Sequence, residues 1–182
     1  WWRDAVGYCL KCEGNICIAT GSRKHCYSEF VSDTAPVLIS MDACIEIEDT
    51  DGARTLRLEE LYTGDGVRPR NLAGSAIIRS VLLPLRREFR TVFSKLRQRQ
   101  SLDFTSLTTA ITTDQTGKIK IVLGGVDPRP VVVEGTIRSD REEMIRQALK
   151  YSRAIDNEMF SRNYRRKMIN VFLQRGFEQL IG

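Results

Sequence analysis

A chain of 182 residues with 42% hydrophobic content holds enough apolar mass for one good-sized core or two small ones, so it needs no disulfide staples. Its longest apolar runs, APVLISM and IKIVLGGV, fall far short of the roughly 20 residues a membrane-spanning helix takes, and no membrane association is expected. The formal charge of +5 comes from Arg more than Lys and gathers in LRREFRTVFSKLRQR and SRNYRRK, so nucleic acid has to be weighed as a partner.

The first 31 residues carry Gly and Cys without a sustained period and read as an irregular loop that something else must organise. Cys9, Cys12, Cys17 and Cys26 crowd into it beside the single histidine, His25. Five cysteines is an odd count, they are bunched rather than spread, and no signal peptide precedes them. That favours a reducing, cytoplasmic setting and a metal or thiol role over disulfides. The chain enters on Trp1 and WWRDAVGYC with no evident cap or alternation, as a chain does that begins within a longer protein.

From Asp33 the pattern tightens. SDTAPVLISMDA offers Ser32 or Asp33 as an N-cap, with Pro36 in the first turn and Val37, Leu38 and Met41 along one side of a short helix. CIEIED and ARTLRL alternate apolar and charged residues around TDG, which predicts a half-buried hairpin. RLEELYTGDG reads as a helical turn broken at Gly64 and Gly66, and SAIIRSVLLP as a strand stopped by Pro84, with Ile77 and Ile78 in its core. Cys44 alternates with Ile45 and Ile47 as a buried apolar residue.

Three further strands follow in TVFSKLRQR, DFTSLTTAITTD and KIKIVLGGV, rich in Thr, Ile and Val and expected to form an antiparallel sheet. Ser139 and Glu142 form a capping-box pair before a helix that buries Met144, Ile145, Ala148 and Leu149. A longer helix begins near Ser161, with Tyr164, Met168, Val171 and Phe172 on its buried side. The expectation is an α+β protein: a small α+β unit, then a domain of a three-stranded antiparallel sheet with helices packed on one face.

Thiolates suit iron–sulfur clusters and zinc alike. A C-x-x-C at Cys9 and Cys12 with Cys17 and either His25 or Cys26 makes a tetrahedral zinc set, although the x4 and x8 gaps match no usual finger or ribbon. A basic, zinc-stabilised nucleic-acid-binding module is therefore the alternative reading, but the basic stretches have little aromatic interleaving and no nucleic-acid motif, which counts against a nucleic-acid partner. A single histidine in a cysteine loop builds no Ser/His/Asp triad, and no GxGxxG is present.

Taken in order, SDTAPVLISMDACIEI, LEELYTGDG, IIRSVLLP, FSKLRQRQSLDF and IVLGGVDPRPV resemble the C-terminal part of the FAD-binding subunit of molybdenum hydroxylases, the xanthine dehydrogenase and carbon monoxide dehydrogenase family. The cysteine stretch resembles the inserted loop of the 4-hydroxybenzoyl-CoA reductase flavoprotein subunit, where four Cys hold a [4Fe–4S] cluster. The eight- and nine-residue steps between Cys9, Cys17 and Cys26 reproduce that loop's last three ligands. The fourth thiolate then comes from before Trp1 or from Cys12.

The resemblance implies three segments: a cluster loop over 1–31, the second FAD-binding subdomain over 32–86, and a C-terminal domain over 87–182. It implies FAD contacts at Ser32, Asp33, Ile77, Ile78 and Lys95, with Lys95 beside the flavin ring and no residue of this chain doing the substrate chemistry. It implies an oxidoreductase complex in which molybdenum cofactor and [2Fe–2S] clusters sit in partner subunits. The N-terminal FAD subdomain is missing from these residues, so the chain alone is not expected to be active.

Overall fold

The computed structural model describes residues 6–85 and 87–181, so the Trp1 entry and Arg86 of the basic stretch lie outside the described residues. The protein is α+β, with a three-stranded and a four-stranded antiparallel sheet.

The first sheet runs in the order β2-β1-β3, from β1 (Cys44–Asp49), β2 (Gly52–Arg57) and β3 (Ile77–Leu82). Asp49 pairs Gly52 across the expected tight turn, where the Asp49 carboxylate accepts the Asp51 N–H at 2.9 Å. Ile45 and Ile47 turn inward against Ile39 of a short helix α1 (Ala35–Ser40) and against Leu58 and Leu61 of the following 3-10 turn. Cys44 is half-buried rather than buried. β3 is an edge strand, and this corrects the reading of its isoleucines as core: Ile77 is 67% exposed and Ile78 41%. An edge strand has a neighbour on one side only, so apolar alternation there does not guarantee cover.

The second sheet is ordered β4-β5-β6-β7, from β4 (Phe89–Leu96), β5 (Leu107–Asp114), β6 (Lys118–Gly124) and β7 (Val131–Thr136). The fourth strand was not foreseen. PRPVVVEGT starts with the prolines that end one strand, and its Val131 and Val133 are buried as the alternation of a new one. Helices α2 (Arg141–Tyr151) and α3 (Arg162–Ile181) pack on one face, as expected, while α1 covers β5 and β6 from the other. Residues 107–112 are consequently buried on both faces. A strand covered on both sides loses the in–out polarity that marks a solvated sheet.

Two helix details differ from expectation. The α2 N-cap is Asp140, whose carboxylate accepts the Glu142 N–H at 3.0 Å, while the Ser139 hydroxyl accepts the Thr136 N–H at 2.9 Å. In α3 the buried face is Arg165, Ile169, Leu173, Phe177 and Leu180. Tyr164 is exposed and stacks on Phe160, Met168 and Phe172 are only partly buried, and Val171 is half-buried. The face is offset because an arginine, polar by type, goes inside. Burying a ring such as Phe177 contributes about 2–3 kcal/mol. Gly176 lets the helix approach the sheet, since a Cβ there would lie 2.6 Å from Ile111 Cδ1. Among the described residues no helix is long and apolar enough to cross a membrane.

Candidate functional site

The segment from Cys26 to Asp33 links the cysteine loop to α1, and two clefts open along it. The first, about 500 Å³, has an apolar floor that includes Phe30, Leu38, Ile45, Leu61 and Tyr62, with Ile78 at one side and Lys11 and Arg70 at the rim. Phe30 and Tyr62 meet edge to face, ring centroids 4.5 Å apart. The second, about 410 Å³, is lined by Asp33, Arg99, Leu102, Asp103 and Phe104. Val31 and Ser32 wall both.

Three of the five expected cofactor residues, Ser32, Asp33 and Ile78, line these clefts, and a fourth, Lys95, reaches them only through its bond to Asp33. The Ser32 hydroxyl accepts the Ala35 N–H at 3.0 Å, which ties the loop to the first turn of α1, although the cap position itself is Thr34. Asp33 is not the cap: its carboxylate takes the Lys95 ammonium at 2.7 Å. Lys95 is 14% exposed at its side chain. Ile78 lines the first cleft, whereas Ile77 lines neither. Asp103 caps its own turn by accepting the Arg99 N–H at 3.0 Å and the guanidinium at 3.2 Å; those bonds hold its carboxyl below the usual range.

An apolar floor with aromatic edges suits a flat ring system, and Lys11 and Arg70 at the rim suit phosphate oxygens. The residues present thus fit a dinucleotide flavin in donor type. Phe30, Tyr62, Lys11 and Arg70 were not anticipated as site residues. The only signal for them was the YTGDG turn, which folds Tyr62 under the loop.

Much of the basic stretch is already engaged, which argues against a free phosphate-binding face. Arg87 pairs with Asp42 at 2.6 Å, Lys95 with Asp33, Arg99 with Asp103, and Arg97 donates to the Ser101 carbonyl.

The cysteine loop folds back on itself. Cys9 and Ile16 form a parallel bridge, Cys12 and Gly14 donate their N–H groups to the Cys9 carbonyl, and the Cys17 N–H reaches the Ser22 carbonyl at 2.7 Å. Cys9, Cys17 and Cys26 are buried and Cys12 is half-buried. Burial pushes the Cys17 thiol up, but N–H bonds from Tyr27, at 3.3 Å to its Sγ, and from Ala19 and Thr20 hold it below the ordinary thiol value. Burial pushes Cys26 up, the neighbouring Cys17 and Cys9 push the same way, and Ser28 and Lys11 offset only part. Asp65 of the YTGDG turn accepts the Cys26 and Val67 N–H groups, and His25 lies 3.8 Å from the same carboxylate. Gly66 stands against Cys26: an added Cβ would come 2.8 Å from its Sγ.

Cys9, Cys17 and Cys26 are three buried thiols of the residue type that ligates iron–sulfur clusters, and Cys17 takes N–H···S bonds. Among the described residues no three His, Cys, Asp or Glu side chains converge to hold a metal ion.

Residues 12–86 match the family profile described as the FAD binding domain in molybdopterin dehydrogenase. Among solved structures the fold is similar to quinoline 2-oxidoreductase from Pseudomonas putida 86, at TM-score 0.65 and 16% identity over 82% of this chain and 55% of that one. It is also similar to a Cu,Mo-CO dehydrogenase, at 0.68 and 19% over 81% and 56%, and to the reconstituted CO dehydrogenase from Oligotropha carboxidovorans, at 0.67 and 18% over 81% and 56%. The chain thus spans just over half the length of these structures. The matched residues 12–86 carry Cys17, Cys26 and most of the first cleft, so the likeness to an FAD binding domain in molybdopterin dehydrogenase falls on the segment that builds the candidate site.

Proposed function

We propose that this chain is the FAD-binding, electron-transferring part of a molybdenum-dependent hydroxylase or reductase of the 4-hydroxybenzoyl-CoA reductase type. The observation that carries the reading is the location of the apolar cleft and its cationic rim within the segment that matches an FAD binding domain. The chain divides into a cysteine loop over 1–31, an FAD subdomain over 32–86 and a C-terminal domain over 87–182. It works in the cytoplasm with a subunit that bears the molybdenum cofactor and another that bears [2Fe–2S] clusters.

Bound FAD supplies two-electron and one-electron redox chemistry. The share of this chain is to bind and orient it. Phe30, Tyr62 and Ile78 shield one side from water, Lys11 and Arg70 meet negative charge, and Ser32 keeps the loop against α1. Lys95, held by Asp33, places a cation beside the second cleft, where charge arriving on a ring would be offset. Cys9, Cys17 and Cys26 would hold a [4Fe–4S] cluster, with the fourth thiolate from Cys12 or from upstream sequence. That cluster would extend the relay toward an outside electron partner.

No Gly-rich nest precedes a helix here, so the pyrophosphate needs donors from another subdomain. Titration of FAD into the isolated chain, followed by flavin fluorescence, is expected to show weak uptake or none. Stoichiometric binding is expected once an N-terminal FAD subdomain is added. No binding in either case overturns the assignment, and tight binding by the chain alone overturns the division of the site.

A further inference from the structure

Arg165 is in the first turn of α3 and is 0% exposed, the largest fully buried side chain among the described residues. A guanidinium has five N–H donors and is strongly hydrated, so complete burial is tolerated only when the donors are met. Here they reach four separate segments. Nε and Nη2 donate to the Ser106 carbonyl at 3.1 and 2.8 Å, Nη2 also to the Gly125 carbonyl, and Nη1 to the Ile155 carbonyl. Among the described residues the single charge partner is Glu29, whose Oε2 lies 2.8 Å from Nη2.

Glu29 lines the first cleft, one residue before Phe30. Its other oxygen accepts the Ile155 N–H at 3.2 Å, so both oxygens are held by the C-terminal half of the chain. Phe30 is fixed by the same group of bonds: its N–H donates to the Asp127 carbonyl at 2.8 Å and its carbonyl accepts the Gly125 N–H at 2.7 Å. Arg165 therefore grips the segment twice, through the Glu29 carboxylate and through Gly125, whose peptide is bonded to Phe30. Burial pushes the Glu29 carboxyl up and Arg165 offsets only part of that.

We propose that Arg165 and Glu29 are positioning residues for the flavin: the pair fixes the Phe30–Ser32 segment, whose Val31 and Ser32 wall both clefts, so the C-terminal helix sets the shape of the cofactor site. An apolar pair of similar volume would serve bulk stability equally well. A planar fork that ties three backbone segments to one cleft residue specifies geometry instead. The inference rests on the reading of the clefts as the FAD site.

The test uses the FAD-containing complex that carries this chain, with FAD affinity measured well below the unfolding temperature. Amide hydrogen exchange at Phe30 and Gly125 is followed against Ile121 and Val122 as references. Glu29→Ala is expected to weaken FAD binding at least roughly tenfold, the effect of losing one hydrogen bond to a charged group. It should speed exchange at Phe30 and Gly125 while leaving Ile121 and Val122 unchanged. Glu29→Gln, which keeps the side-chain volume and one acceptor oxygen for Arg165 but turns an amide donor toward the Ile155 N–H, should recover only part of the affinity. Wild-type affinity in Glu29→Ala despite faster exchange at Phe30 overturns the inference, as does faster exchange at all four amides, which marks a general stability role. A wild-type complex that takes up no FAD overturns the underlying reading instead.

Discussion

Replacing Gly66 with alanine adds one methyl group at the place where the YTGDG turn presses on the cysteine loop. Its Cβ would stand 2.7 Å from Ser28 Cβ, 2.8 Å from Cys26 Sγ and 3.1 Å from the Ser28 nitrogen. Ordinary contacts begin near 3.5 Å, so two heavy atoms overlap by roughly 0.7–0.8 Å. Relief is not cheap, because the obstructing atoms lie within one bond or two of the backbone. The Gly66 N–H is also bonded to the Cys26 carbonyl at 2.9 Å, which keeps the two segments from parting. Overpacking of this kind costs about 1–3 kcal/mol, and the rigid partners place G66A near 2–3. For a chain of this size that lowers the melting temperature by about 4–12 °C. If Cys26 ligates iron, its displaced Sγ should also lower iron per chain, toward the level left by Cys17→Ser in the same preparation. Circular dichroism melting and iron analysis read the two effects separately. A G66A protein that melts with the wild type would refute the packing argument. One that melts early yet keeps full iron would refute the ligand assignment of Cys26.

Lys95→Ala in the FAD-containing complex leaves Asp33 unpaired beside the second cleft, so the flavin reduction potential should fall; about 1–3 kcal/mol corresponds to roughly 20–60 mV for a two-electron couple. Redox titration checks it, and an unchanged potential would remove Lys95 from the flavin environment. Lys120 is 3% exposed at its side chain, between Asp42 and Glu134, the latter at 2.9 Å. Breaking a buried pair costs about 3–5 kcal/mol, but solvent access to both carboxylates, and Lys118 nearby, reduce the expectation for Lys120→Met to about 2 kcal/mol in urea unfolding. For Asp42 and Glu134, burial pushes the carboxyls up but hydrogen bonds and charge from Lys120, with Lys118, hold both below the usual range. For Lys120, burial pulls the ammonium down but bonds from Asp42 and Glu134 hold it above its usual value. The carboxylate contribution is thus present above their unfolded values, near pH 4, and lost as pH falls through the depressed folded ones. The Lys120 contribution is present below about pH 10.4 and lost as pH rises through the raised folded value. In Lys120→Met the acid loss should be shallower; an unchanged acid limb would refute the linkage.

The order of elements was legible because periodicity and punctuation carried it: Thr50–Gly52 made the hairpin turn and Pro84 followed β3. Exposure on β3 was not legible, since Ile77 and Ile78 alternate as core residues do and only the strand order leaves them at an edge. The burial of Arg165 was hidden for the opposite reason. Two of its three carbonyl partners, Ser106 and Gly125, and Glu29 lie far away in sequence, and no local pattern reveals that a charged residue will be satisfied inside. At the site, Ser32, Asp33 and Lys95 were found by resemblance, yet the Asp33–Lys95 pair joins residues 62 positions apart. Cys9, Cys17 and Cys26 could be seen to cluster in sequence; that Gly66 and Asp65 brace them depends on a turn 39 residues downstream.

Helix α1 belongs by sequence to the segment that matches an FAD binding domain, and by packing to both sheets. The Ser40 hydroxyl lies 2.6 Å from that of Thr112, and Ile39 shares one apolar cluster with Val122. The segment over 12–86 is therefore not a cassette that could be cut out and spliced into another scaffold. Any recombination that exchanged it would have to bring a matching β5–β6 surface, so the two halves are constrained to vary as a unit even though a strand, a proline and a run of basic residues separate them along the chain.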